Sequence, residues 1–289
     1  MAETLTPPPT VAPESPTCLN CGAPLAGPYC HDCGQRDQPV DLTARHMVQE
    51  ALGHTLSWDG RVFQSLRTLV RRPGLLAEDW AAGRRARHVT PFRLYLMVSL
   101  IYVGFTATYA LAKDVLVDEV AETAAEDEAQ LRESFRKGPI PPDKIDSVAA
   151  YTVGVISLGS RWMFILMPLG GFGLYVLYHL RRPSYAAHFV LAIHVFTVVM
   201  LMLVARRALQ LGVVLVAQER LTVLFHTLND ALLLGVLALA TVYAAASIRR
   251  FYGVGWAKAL ASAPAVTVGP LVGRAALFVA GYLVILALP

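Results

Sequence analysis

Charged residues are scarce in this chain, and their scarcity excludes an ordinary soluble domain. Asp, Glu, Lys and Arg make up 16% of the 289 residues, against about 25% in a typical globular protein, whereas 55% of the residues are hydrophobic. In the second half of the chain the positive charges lie mainly between apolar blocks rather than inside them. The composition therefore predicts a membrane protein.

A secretory signal peptide is also missing from the start of the sequence. Residues 1–16 read MAETLTPPPTVAPESP, which is acidic, rich in proline and without an apolar stretch. A segment of this composition cannot bury enough apolar surface to fold. We expect residues 1–16 to form a disordered tail and the N-terminus to stay in the cytoplasm.

Familiar catalytic motifs are absent as well. The sequence contains no GxSxG, HExxH or GxxxxGK pattern. Intramembrane proteolysis would need paired aspartates, a Ser/His pair or two zinc-binding histidines within the apolar segments, and Asp230 is the one aspartate there. These absences favour a protein that is not an enzyme, and we predict no catalytic residue.

Cysteine is rare but concentrated in one short stretch. All four cysteines fall within CLNCGAPLAGPYCHDCGQ, where Cys18, Cys21, Cys30 and Cys33 form two CxxC pairs. Each pair can hold a metal ion through a tight turn, and four thiolates suit a closed, structural tetrahedral Zn²⁺ site. In a reducing compartment such a pattern favours a metal site over disulfides. Iron in the same site, or a redox dithiol, is the alternative.

The neighbours of these cysteines refine the prediction of a zinc ribbon over residues 17–36. Gly22 and Gly34 follow the second cysteine of each pair, where a tight turn often needs a positive φ angle. His31 lies between the cysteines, and we do not expect it to bind the metal. The ribbon has no cluster of Lys and Arg, so we do not expect nucleic acid as a partner.

Residues 41–90 are typical of amphipathic helices on the cytoplasmic side. Apolar residues recur at helical spacing in two stripes, Met47, Val48, Ala51, Leu52 and Leu56, then Val62, Phe63, Leu66, Leu69 and Val70. Pro73 and Gly74 should end the second helix, and Gly83 should cap a short third one. The apolar faces of these helices could lie on the membrane or pack against the rest of the protein. The periodicity of the sequence does not distinguish the two arrangements.

Beyond residue 90 the sequence predicts a bundle of about five transmembrane helices. The predicted fold class is therefore an all-α integral membrane protein, in which a small zinc ribbon with four cysteine ligands precedes the helices. Each segment has roughly the 20 apolar residues that a bilayer requires. The predicted spans are 91–112, 162–180, 185–205, 221–248 and 266–288, with an acidic loop at 113–147 and the whole bundle covering 91–289. The outer ends of the second and fourth spans have the least defined boundaries.

Basic residues near the helix ends predict the orientation in the membrane. With the N-terminus inside, nine basic residues flank the helices on the inner side: Arg84, Arg85, Arg87, Arg93, Arg181, Arg182, Arg249, Arg250 and Lys258. Five flank them on the outer side: Lys113, Arg161, Arg206, Arg207 and Arg220. We therefore predict a cytoplasmic N-terminus, a periplasmic acidic loop and a periplasmic C-terminus.

Two groups of polar residues are candidate sites within or beside the membrane. Arg84, Arg85, Arg87 and Arg93 precede or begin the first span, where they could set topology or bind lipid headgroups. His226, Asn229 and Asp230 share one face of the fourth span, and an acidic residue at membrane depth is a functional candidate, as in a proton or cation path.

Several of these motifs, in the same order, resemble a bacterial family of uncharacterised integral membrane proteins that begin with a zinc ribbon, a domain-of-unknown-function family. The similarity rests on CxxC…YCxxCGQ at 18–35, RPG at 72–74, GRR at 83–85 and Pro91, then on RRPSYAAHFVLAIHVF at 181–196 and RRFYG at 249–253. It implies the architecture described above and a bacterial inner membrane location. It brings no established activity.

The prediction that follows is a non-enzymatic inner-membrane protein whose cytosolic ribbon docks a protein partner or braces the membrane bundle. Its expected contacts are membrane lipids, a cytosolic protein and a further copy of itself. The alternative is a small transporter or channel that uses Asp230 and His226. A third hypothesis is a membrane enzyme that acts on lipid headgroups near Arg84, Arg85, Arg87 and Arg93.

Overall fold

The computed structural model describes residues 16–37, 60–116, 129–138, 140–157, 162–216 and 219–287. Within these ranges the side chains of residues 110, 112–116, 153–157, 162–166, 214–216, 219–230, 269–274 and 277 are not described. In the described residues all regular structure is helical, apart from two isolated β-bridges in the cysteine segment. The predicted all-α class is confirmed for this part of the chain.

Two short helices precede the long ones, α1 over Gly60–Arg71 and α2 over Leu75–Ala81. Gly74 separates them with φ +79°, and α2 ends in a Schellman turn in which the Gly83 N–H donates to the Trp80 carbonyl. The predicted breaks at Gly74 and Gly83 are therefore confirmed. The predicted apolar stripe over residues 47–56 lies outside the described residues.

The rest of the described chain forms a helical stretch at residues 129–136 and eight further helices with defined bounds. They are α3 over Pro91–Leu116, α4 over Ile145–Ser157, α5 over Trp162–Tyr178, α6 over Tyr185–Val216, α7 over Glu219–Tyr252, α8 over Trp256–Ser262, α9 over Pro264–Thr267 and α10 over Gly269–Ala287. A short 3-10 turn, Pro142–Lys144, leads into α4.

Three of these helices are long and apolar enough to cross a membrane. The segments are Pro91–Tyr109 in α3, Tyr185–Val213 in α6 and Ala231–Tyr252 in α7. Two shorter apolar segments, Met167–Tyr178 and Phe278–Ala287, lie in α5 and α10, where the sequence predicts the second and fifth spans. Membrane character is thus supported, with three candidate spans in the described part of the chain.

Helix α6 lies at the centre of the bundle. Most of its residues from 186 to 200 are buried, and it packs against α3, α5 and α7. Close approach depends on the glycines of α5, because a Cβ added to Gly171 would lie 3.0 Å from the Cα of Phe189. The GGFG sequence at 170–173 therefore serves close helix packing.

Helix α6 is longer than the predicted third span. It continues through Arg206 and Arg207, which were expected to mark the outer boundary, and ends at Val216. The Arg207 guanidinium donates to Gln210 Oε1 at 2.8 Å and lies 5.1 Å from the ring centre of Tyr109. The 32 residues of α6 span about 48 Å, so the helix extends past a hydrocarbon layer of about 30 Å.

The helices α1 and α2 pack against the bundle. Val62 and Leu69 of α1 are fully or almost fully buried and share a cluster with Leu94 of α3 and Val198 of α6. The Tyr243 hydroxyl of α7 donates to the Leu69 carbonyl at 2.7 Å. Phe63 and Val70, also in the predicted stripe, are exposed.

Candidate metal centre and the loop it contacts

The cysteine segment consists of two similar turns that repeat after twelve residues. In the first, the Gly22 N–H donates to the Cys18 carbonyl at 2.8 Å; in the second, the Gly34 N–H donates to the Cys30 carbonyl at 2.9 Å. Gly22 has φ +80° and Gly34 has φ +71°, as the sequence predicts. Each turn is closed by a β-bridge, Thr17 with Pro24 and Tyr29 with Arg36.

These turns bring the four sulfur atoms together. All four lie within 4.8 Å of one another, with 3.6 Å between Cys18 and Cys33 and 3.4 Å between Cys21 and Cys30. Sulfurs bound tetrahedrally at about 2.3 Å from Zn²⁺ are separated by about 3.8 Å. The cluster therefore has the dimensions of a four-thiolate metal site, and the four residues could hold a metal ion.

The thiols differ in acidity. The backbone N–H of Cys21 lowers the pKa of the Cys18 thiol to about 7. At Cys21 the N–H of Ala23 also acts to lower the pKa, but the neighbouring Cys30 thiol and burial outweigh it and raise the pKa to about 12. Four thiolates so close together repel one another, and a bound cation would remove that repulsion.

His31 lies outside this cluster. Its side chain is 62% exposed, and its Nε2 lies 3.5 Å from the Asp32 carboxylate. The metal-ligand grouping found among the described residues comprises the four cysteines and no histidine. His31 is therefore a surface residue. That it does not bind the metal stays a prediction.

Gln35 joins the cysteine segment to the loop that follows α2. Its Nε2 donates to the Gly83 carbonyl at 2.8 Å, and its Oε1 accepts from the backbone N–H groups of Arg85 at 2.9 Å and Ala86 at 3.2 Å. These three bonds connect positions 48 to 51 residues apart in the chain. Sequence reasoning did not assign Gln35 a role, because a glutamine after CxxCG carries no signal of a distant partner.

The four arginines of the predicted basic belt occupy different environments. Arg84 pairs with Asp79 at 2.6 Å, and the Arg85 guanidinium lies 4.3 Å above the ring of Trp80. Arg87 is exposed, whereas Arg93 is buried within the protein at 7% exposure. The packing of α3 thus encloses the Arg93 side chain. The role of these four arginines in topology or headgroup binding stays a prediction.

Other basic segments predicted on the inner side contact one another. Arg181 donates to the Tyr252 carbonyl at 2.9 Å and Arg182 to the Phe251 carbonyl at 3.3 Å, so both satisfy the C-terminal end of α7. Arg250, in the last turn of α7, pairs with Glu78 of α2 at 3.1 Å. One end of the bundle thus carries α2 and both Arg-Arg segments.

The candidate intramembrane site is only partly described. The backbone of His226, Asn229 and Asp230 belongs to α7, but their side chains lie outside the described residues. Two other membrane histidines, His188 and His194, are buried and hydrogen-bonded within the bundle. The transporter alternative that rests on Asp230 stays a prediction.

Comparison with known proteins gives one match. A family described as "Protein of unknown function (DUF3667)" matches residues 59–103, which include α1, α2, the Gly83–Thr90 loop and the first half of α3. No curated protein and no solved structure matches the chain. The match covers the loop that contacts the cysteine segment and supplies no activity.

Proposed function

We propose that this chain is a non-enzymatic, multi-pass protein of the bacterial inner membrane whose zinc ribbon braces the cytoplasmic entrance to the first membrane helix. The observation that carries the proposal is the set of three hydrogen bonds from Gln35 to Gly83, Arg85 and Ala86. Because residues 83–90 connect α2 to α3, holding this loop restrains the start of the first span.

Zinc is the metal that fits the proposal best. Four thiolates and no open coordination position suit a structural Zn²⁺ site, and a segment of about twenty residues needs such a staple because it cannot build a sufficient apolar core. Three buried side chains, Cys18, Leu25 and Cys30, make up its small apolar cluster. The metal would then supply most of the folding free energy of the ribbon.

The proposed topology has five spans, with the N-terminus in the cytoplasm. Its support is the clustering of α2, Arg181, Arg182 and Arg250 at one end of the bundle, since basic residues are enriched on the cytoplasmic side. Pro91 and His194 line the same cavity near one end of the bundle, and the Arg207 guanidinium lies 5.1 Å from the Tyr109 ring centre farther along both helices. This arrangement agrees with α3 and α6 crossing the membrane in the same direction.

Hydrogen exchange of the purified full chain in detergent tests the bracing role. Replacing Gln35 by Ala should speed exchange of the Arg85 and Ala86 amides by about tenfold, because both lose their acceptor. The double variant Cys18→Ser/Cys30→Ser should do the same by unfolding the ribbon. His31→Ala is the control and should leave exchange unchanged. Unaltered exchange of both amides in both Gln35 and cysteine variants would show that the ribbon does not hold the loop.

Partner docking by the ribbon is a second proposal, favoured by two exposed apolar side chains. Leu19 is 49% exposed and Tyr29 is 59% exposed, and both project from the metal-binding turns. The double variant Leu19→Ser/Tyr29→Ser should keep zinc and the braced loop but lose crosslinks to a cytosolic protein. Identical crosslinks in the variant and the wild type would exclude this surface.

A further inference from the structure

A small polar cavity lies where the ribbon-bound loop meets the membrane bundle. It has a volume of about 30 Å³, and its walls include Trp80 of α2, Arg84, Arg85, His88 and Thr90 of the following loop, and His194 of α6. This is room for a group of a few atoms and not for a whole metabolite. The described lining residues include two arginines, Arg84 and Arg85, and no Asp or Glu. The nearby carboxylate of Asp79 is paired with the Arg84 guanidinium at 2.6 Å.

Two polar atoms of this wall have no hydrogen-bond partner among the described residues. They are the Trp80 indole Nε1 and the Thr90 hydroxyl oxygen, both shielded from solvent. Trp80 is almost fully buried, since only 5% of it is exposed. A buried polar group without a hydrogen-bond partner costs about 1–3 kcal/mol of stability. A polar ligand that hydrogen-bonds to these two groups would remove that cost.

The position of α3 adds a positive field. The Leu94 N–H donates to the Thr90 carbonyl at 3.1 Å, so Thr90 is the N-cap of a 26-residue helix that begins at Pro91. Its hydroxyl does not cap the helix, and Thr90 and Pro91 both line the cavity. The positive end of the helix macrodipole therefore adjoins the cavity, which favours an anion over a cation or a neutral group.

We propose that this cavity binds a phosphate-type oxyanion through Trp80 Nε1, the Thr90 hydroxyl and the guanidinium groups of Arg84 and Arg85. The stacking of Arg85 on Trp80 and the pairing of Arg84 with Asp79 fix the orientation of both guanidinium groups before the ligand arrives. The anion belongs either to a phospholipid headgroup or to a free phosphate, and the chemistry of recognition is the same. This site does not depend on the bracing role of the ribbon.

Thermal unfolding of the full-length protein in detergent tests the site with three probes: inorganic phosphate, dioctanoyl phosphatidylglycerol and, as the phosphate-free control, dioctanoylglycerol. A rise in Tm with inorganic phosphate identifies a site open to the free ion, and a rise with the phospholipid alone identifies a headgroup site; either supports the proposal. No rise with either phosphate compound, or an equal rise with dioctanoylglycerol, overturns it.

Matched variants assign the effect to the cavity. Arg85→Gln should weaken the apparent affinity by about tenfold or more, whereas Arg87→Gln makes the same charge change on the exposed part of the same loop and should leave it unchanged. If both variants lost the same amount of affinity, the binding would come from general attraction to surface charge and not from the cavity. In Thr90→Val the ligand should no longer raise Tm, whereas the Tm without ligand should stay at or above that of the wild type. A purely structural role for Thr90 would not give this combination.

Discussion

The backbone carbonyl oxygen of Ser247, near the end of α7, lies 2.7 Å from the place that a Cβ on Gly74 would occupy. Gly74 also has φ +79°, a conformation that residues with a side chain adopt at a cost. The turn between α1 and α2 therefore approaches α7 as closely as it does because position 74 has no side chain. The helix break that the sequence predicts at Gly74 is thus also the point where this turn packs against α7.

Replacing Gly74 by Ala should lower the stability of the bundle by at least about 2 kcal/mol, because the methyl group meets both the φ penalty and the Ser247 backbone. The drop in Tm of the detergent-purified protein measures it. Gly60→Ala is the matched control: a Cβ there meets nothing within 4 Å and its φ is not positive. Similar Tm values for the two variants would contradict the close approach.

Metal removal should unfold the ribbon and spare the bundle. We expect one bound zinc per chain, lost in Cys18→Ser/Cys30→Ser because each metal-binding turn loses a thiolate. His31→Ala should retain the metal. Elemental analysis gives the stoichiometry, and proteolysis of residues 16–37 reports unfolding. A His31→Ala protein without metal would show that the assignment of ligands is wrong.

Tyr252→Phe should destabilise the bundle by about 1–3 kcal/mol. His188 is fully buried, with Nε2 2.8 Å from the Arg182 carbonyl and Nδ1 2.6 Å from the Tyr252 hydroxyl. Because Nε2 donates to the carbonyl, Nδ1 of the neutral ring accepts from Tyr252, and the variant leaves that acceptor unpaired. Tm measures the change. Tyr175→Phe, on another ring 5.5 Å from His188, is the control and should cost less.

Acidification should weaken the packing around the loop before α3. Burial lowers the pKa of His88 below its ordinary value of 6.5; the Asp79 charge opposes this shift and Arg87 adds to it. The unfolded chain therefore takes up the proton more readily, so the stability contributed by neutral His88 is present above about pH 6.5 and lost as the pH falls below it.

The measurement is Tm against pH between about pH 8 and about pH 5 for the wild type, His88→Asn and His179→Asn. His88→Asn should reduce the fall in Tm, whereas the same change at His179, which is exposed, should not. A slope that persists undiminished in His88→Asn would assign the pH dependence to other groups.

Part of the candidate site follows from short-range patterns. Two CxxC pairs, each followed by glycine, predict the metal-binding turns because ligand spacing and a positive φ are local requirements. The ends of α1 and α2 follow likewise from Gly74 and Gly83. The apolar composition predicts helices that could cross a membrane, and three in the described residues have the length.

The amino-acid sequence by itself thus determined helical membrane character, the four thiols that could hold a metal ion and the turns that bring them together, since each depends on residues a few positions apart. Tertiary structure alone decided that Gln35 binds the loop at Gly83, that α1 packs on the bundle, that Arg93 is buried, and that His194 joins Trp80 and Thr90 around one cavity. The physical reason is that these contacts join residues far apart in the chain, such as Gln35 and Gly83, 48 positions apart, or Leu69 and Tyr243, 174 positions apart. Their geometry depends on the path of the whole chain and on the central position of α6.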